Sequence, residues 1–145
     1  MSSISSRTWT STTRMTADYR DSAKRQGSYY ESLFTTECLK RGIAVSQPEG
    51  DYLPYDVITD SRLGLKRVQI KGTRYRENSG YRVVIASYAP DAFDFMALYV
   101  DQPDFRTWYV FPKALPGKAK AVKLFPHNPT SKGKYEPYKA AFHLL

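Results

Sequence analysis

Two apolar runs, residues 55–59 and 65–71, are separated only by a turn-forming segment, residues 60–64. Both are rich in β-branched side chains, so they predict two strands joined by that turn. Strand alternation then sorts their side chains between two faces. Val68 and Ile70 belong to one face, which should be core; Arg67, Gln69 and Lys71 belong to the other. On the first strand Asp56 shares a face with Ile58, opposite Tyr55 and Val57. The hairpin therefore predicts a polar cluster of Asp56, Gln69 and Lys71 on one side of adjacent strands.

The remaining elements follow from periodicity. Between residues 28 and 40, Tyr30, Leu33, Phe34 and Cys38 recur at helical spacing, and Gly42 supplies a stop. Residues 43–45 are a short strand candidate, and Pro48-Glu49-Gly50-Asp51 is a turn. Further strands are expected at 81–86, 95–100 and 107–111, the last closed by Pro112. Beyond Pro112 the pattern fades, with a short helix expected at 138–144. One helix, four strands and two more strands predict an α/β (α+β) fold, a mixed sheet with a long helix on one face.

A chain of 145 residues suits one domain. No stretch approaches the length of a membrane span, so no membrane partner is expected. The single cysteine, Cys38, cannot form an internal disulfide, and a reducing cytoplasm is the expected setting. Mid-helix, it reads as a small buried hydrophobe. The formal charge of +8 predicts attraction to polyanions, of which nucleic acid is the commonest. From Lys113 to the C-terminal Leu145 there are seven lysines, and Glu136 is the only acid. The first sixteen residues are Ser/Thr-rich with Arg7 and Arg14, and their sparse apolar residues make a flexible basic arm a better reading than a transit peptide.

Helical geometry brings in one more acid. At about 100° per residue, Glu31 lies close in angle to Phe34 and Cys38, at the margin of the inward stripe. A carboxylate there needs a partner, because burying an unpaired charge is costly. Glu31, Asp56, Gln69 and Lys71 together suit metal-assisted phosphodiester hydrolysis. Asp56 would give a carboxylate oxygen, Gln69 its amide oxygen and Ile70 its backbone carbonyl to Mg2+, with Glu31 binding directly or through a water. Lys71 would position the attacking water or stabilise developing negative charge.

Taken singly, each residue has a plainer reading. Asp56 could be a hydrogen-bonded turn residue, Gln69-Ile70-Lys71 the wet face of an edge strand, and Glu31 a surface partner of Lys40 or Arg41. Their occurrence in this order favours a site. Lys66, Arg67, Arg74, Tyr75 and Arg76 bracket the second strand, where the basic ones could hold a nucleic-acid backbone or reach bases. His127 and His143 are too few and too isolated for a zinc site. Trp108 and Tyr109 read as core. Nucleotide-binding and serine-hydrolase motifs are absent.

At Glu31, Asp56 and Gln69-Ile70-Lys71 the chain resembles the PD-(D/E)XK nuclease superfamily, with its restriction-endonuclease-like core of a mixed central sheet flanked by helices. Gly27-Ser28-Tyr29-Tyr30-Glu31, Pro48-Glu49-Gly50-Asp51, Tyr55-Asp56 and Arg67-Val68-Gln69-Ile70-Lys71 are most similar to its bacterial group I intron homing-endonuclease branch. The similarity continues through residues 93–100 and 108–112. It implies three regions: a basic arm at 1–26, a nuclease core at 27–115 and a lysine-rich extension at 116–145. It also implies a Mg2+-dependent DNA endonuclease, with Mn2+ as a substitute ion, acting as a homodimer or homotetramer in the cytoplasm, or in the host's where a phage carries the gene. Archaeal-type Holliday junction resolvases share the order of Glu, Asp and Lys, so a four-way junction is the alternative substrate. Gln69 departs from the superfamily pattern, which has an acid there. Glutamine keeps the oxygen and loses the charge, leaving a catalytically inactive DNA-binding module as a second alternative.

Overall fold

The computed structural model describes residues 19–103 and 105–145. Among the described residues one α-helix, α1 (Tyr19–Lys40), precedes the strands. These are β1 (Ala44–Ser46), β2 (Val57–Ser61), β3 (Gly64–Thr73), β4 (Arg76–Glu77), β5 (Gly80–Val84), β6 (Phe95–Gln102), β7 (Phe105–Pro112) and β8 (Ala121–Leu124). After α1 the chain reverses at Gly42, whose φ of 76° is open to glycine without strain.

Five strands form a central mixed sheet in the order β1-β2-β3-β6-β7. Within it β3 and β6 run parallel, and the other neighbours are antiparallel. The helix covers one face: Tyr30, Phe34 and Cys38 pack with Val57, Val68, Ile70, Tyr99, Trp108 and Phe142. A second, three-stranded sheet (β4-β5-β8) covers the other, setting Tyr81, Val83, Val122 and Leu124 against Met96, Leu98, Tyr109 and Phe111. Burial on both sides explains why Met96-Ala97-Leu98-Tyr99-Val100 shows no polar alternation.

The central hairpin matches the reading of the sequence, with Val57 paired to Val68 and Asp60 to Leu65. Several boundaries and placements differ. The strand expected at 81–86 is β5, and it joins the second sheet. Its alternation, with Tyr81 and Val83 buried and Arg82 and Val84 exposed, belongs to a strand covered on one face. It pairs with β8, a strand not foreseen beyond Pro112. The helix expected at 138–144 is replaced by two 3-10 turns, Glu136–Tyr138 and Phe142–Leu144, because Ala140 takes a positive φ of 52° between them. Helix α1 begins at Tyr19, so residues 19–26 of the expected arm are helical; residues 1–18 lie outside those described. The lysine-rich end packs onto the domain, giving Val122 and Leu124 to one core and Phe142 and Leu145 to the other.

Candidate functional site

The site is built where two strands part. The β2–β3 ladder ends at the Val57–Val68 pair, followed by one bond from the Asp56 N–H to the Val68 carbonyl at 2.9 Å. Beyond it β3 continues with no described strand on that edge, and the Ile70 N–H needs another acceptor. Asp56 Oδ2 takes it at 2.8 Å. Asp56 thus stands just before β2 rather than within the strand expected at 55–59. Its carboxylate reaches across the opening as a substitute for the missing ladder bond.

An open edge can be approached from both faces of the sheet. Gln69 and Lys71 project from the face they share with Met96 and Leu98, their partners on β6. Glu31 comes from α1 on the opposite face. All three meet Asp56 and Ile70 in one cleft of about 420 Å3, also lined by Tyr30, Gly72 and Arg82. The five residues expected to form a site are therefore together.

Within the described structure Glu31 makes no ion pair. The partners expected from the plainer reading, Lys40 and Arg41, both bind Glu37 instead, at 3.1 and 3.2 Å. Burial pushes the Glu31 carboxyl above its usual range, and the negative charge of Asp56 pushes it further. Burial also raises Asp56; the Ile70 N–H and the Lys71 charge pull back without cancelling it. Two half-buried carboxylates in one cleft, each disfavoured in its charged form by burial, are what a bound cation would relieve. The donors here, two carboxylates, an amide oxygen and the edge carbonyl of Ile70, are all hard oxygens and fit Mg2+ better than a softer metal. Among the described residues no group of three or more His, Cys, Asp or Glu side chains converges, because Gln69 stands where a third acid would complete one.

The family model for PD-(D/E)XK endonucleases matches residues 21–145. The chain belongs to the PD-(D/E)XK endonuclease family. The match starts inside α1 and runs to the last residue, so β8 and the terminal turns fall within it. A solved structure described as a bacterial homing endonuclease, I-Ssp6803I, is similar to this chain with a TM-score of 0.73 and 25% identity. The likeness covers 83% of this chain and 90% of that one. No curated protein matches the chain. Membership makes the protein a nuclease, with DNA as its substrate and a divalent metal ion as the family's general cofactor. Among the described residues no helix is long and apolar enough to cross a membrane.

For a PD-(D/E)XK nuclease the flanking cations matter as much as the cleft, and none of the four singled out in the sequence lines it. Arg67 binds Asp94 through its backbone N–H at 2.8 Å and through its guanidinium at 3.3 Å. Arg74 binds Asp101 at 3.0 Å and keeps 62% of its side chain exposed. Lys66 Nζ caps the hairpin turn at the Leu63 carbonyl, 2.7 Å away. Arg76 sits 6.0 Å from the centre of the Tyr81 ring.

Two contributors escaped the sequence reading. Asp101, 4% exposed, accepts from Tyr30 Oη at 3.1 Å, Arg74 Nε at 3.0 Å and Arg106 Nε at 3.3 Å. Gly72 lets the Tyr30 ring lie directly on β3: a Cβ built there would sit 2.2 Å from Tyr30 Cε2. The signal for Gly72 was available, since a glycine inside a strand marks a close approach.

Proposed function

We propose that this nuclease is a Mg2+-dependent, site-specific DNA endonuclease of homing type, with Mn2+ as a substitute ion. The observation that supports it is the meeting of Glu31, Asp56, Gln69 and Lys71 at the open edge of β3. Asp56, Gln69 and the Ile70 carbonyl would hold the ion from the strand side, and Glu31 from the helix side. Bound there, Mg2+ supplies Lewis acidity beside the scissile phosphate. Lys71 donates to the attacking water and to the phosphate oxygens, where negative charge grows during attack. Glu31 and Asp56 give up their protons more readily once a cation shares the cleft. Gln69 provides an oxygen without a charge, so the site binds its ion more weakly than one with three acids would.

The homing subtype is supported by the likeness to the bacterial homing endonuclease. One such site cuts one strand, so double-strand cleavage takes a homodimer or a homotetramer with two-fold symmetry. Light scattering of the protein on its DNA reads this directly; a monomer that makes double-strand breaks would contradict it. Lys66, Arg67, Arg74 and Arg76 serve as outer phosphate contacts, Arg67 and Arg74 while also holding Asp94 and Asp101.

Substrate choice tests the subtype. With Mg2+, incubation with a plasmid library and, separately, with a labelled four-way junction should linearise a small subset of plasmids at defined positions. Resolution of junctions regardless of sequence, with linear duplex spared, would replace the homing reading with a resolvase. Binding without cleavage of any DNA would leave an inactive module.

A further inference from the structure

We infer that the turn carrying Lys113, Lys118 and Lys120 forms, with Arg82 on β5, a cationic track that guides the DNA backbone into the catalytic cleft. The inference rests on the nuclease reading and adds a surface to it. Its first support is continuity. Residues 82–84 wall the catalytic cleft, and the next four, 85–88, wall a smaller cleft of about 110 Å3. One short stretch of chain therefore borders both.

The second support is charge. Lys113, Lys118 and Lys120 line the smaller cleft and no carboxylate does. The one acid in the segment from residue 113 onward, Glu136, is turned inward, where it accepts from the Tyr109 hydroxyl and the Phe125 N–H, each at 2.9 Å. Lys123, beside Arg82 on the paired strand, is already matched by Glu77 at 3.2 Å and stands outside the track. Among the described residues no carboxylate pairs with Lys118 or Lys120, and Lys113 Nζ lies 5.6 Å from the centre of the Phe93 ring.

The third support is order. Turn bonds from Leu115, Gly117 and Ala119 back to Pro112, Ala114 and Pro116 fold the segment, and the Ile85 N–H binds the Lys120 carbonyl at 3.0 Å, joining the two walls. Small and cationic, the cleft matches a single phosphate group rather than a ligand of drug size, which needs roughly 300 Å3 or more.

The test is the affinity of the full chain for a fluorescein-labelled, random-sequence duplex, measured in Ca2+ over a KCl series. For Lys118→Gln/Lys120→Gln, affinity should fall about tenfold, and the log–log salt slope should flatten by about 2, roughly 0.9 per lost phosphate contact. Both side chains are exposed, so the melting temperature should hold. Lys132→Gln/Lys134→Gln removes the same charge away from the cleft and should leave the slope nearly unchanged. An unchanged slope in the first variant, or an equal change in the second, would overturn the track. Wild-type binding that depends on Lys118 and Lys120 without any Mg2+-dependent cleavage would sink the nuclease reading and leave the track standing.

Discussion

Glu31 bears a charge that the described fold does not neutralise, and this should show in stability. Its folded pKa lies above the ordinary value of 4.5, so the native state binds that proton more tightly than the unfolded chain does. The resulting destabilisation is full at neutral pH and fades as pH falls toward about 4.5. Glu31→Gln should therefore raise the melting temperature of the metal-free protein by a few degrees at pH 7.5, with the gain gone near pH 4.5. It should also blunt the stabilisation that Mg2+ gives the wild type. Thermal melts at both pH values decide the matter: an equal gain at each would remove the uncompensated charge from the site. Helical spacing alone placed Glu31 at the margin of the inward stripe. Spacing could not show whether a cation from elsewhere in the fold reaches Glu31, because that depends on how distant elements pack against the helix; Lys40 and Arg41 pair locally with Glu37.

At the scale of elements, the distance between α1 and β3 is held by Tyr30 on Gly72, and Asp101 fixes Tyr30 from behind. Tyr30 precedes Glu31 and Gly72 follows Lys71, so this contact sets how far apart the helix and strand halves of the site stand. Gly72→Ala forces the ring away from β3 and should cost about 1–3 kcal/mol of stability. Cleavage should fall more than binding does. Shortening the ring in a Gly72→Ala/Tyr30→Leu double variant should restore part of the stability. Denaturant melts and cleavage rates check both; full activity in Gly72→Ala would mean that the contact does not position the site. The hairpin was legible because β-branched residues and a turn recur at strand spacing. β8 was not, because Ala121–Leu124 has four residues, two of them inward, and becomes a strand only through β5. The first turns of α1 were missed for a related reason: Arg20, Asp21, Lys24 and Arg25 read in sequence as an arm, and between residues 22 and 40 the first buried apolar side chain is Tyr30.

Across the whole molecule, a central sheet splits at one edge, with a helix on one side and a small basic sheet on the other. The site lies in the split, reached from both faces, and the lysine-rich end lines a separate, smaller cleft. The order of Glu31, Asp56, Gln69 and Lys71 was legible because each falls on, or for Asp56 directly before, a well-marked element. The direction of approach was not, because it depends on where β2 leaves β3, and Asp56 was read as part of the strand. The central claim is that this edge cuts DNA, and Lys71 tests it most directly because no intrachain hydrogen bond to its side chain was found among the described residues. The decisive measurement is single-turnover cleavage in Mg2+ by wild type and Lys71→Ala, with gel shifts in Ca2+ to follow binding. Cleavage should drop by about 10²–10³-fold or more while affinity stays within about threefold. Cleavage by Lys71→Ala at the wild-type rate, or a parallel loss of binding and cleavage, would contradict it.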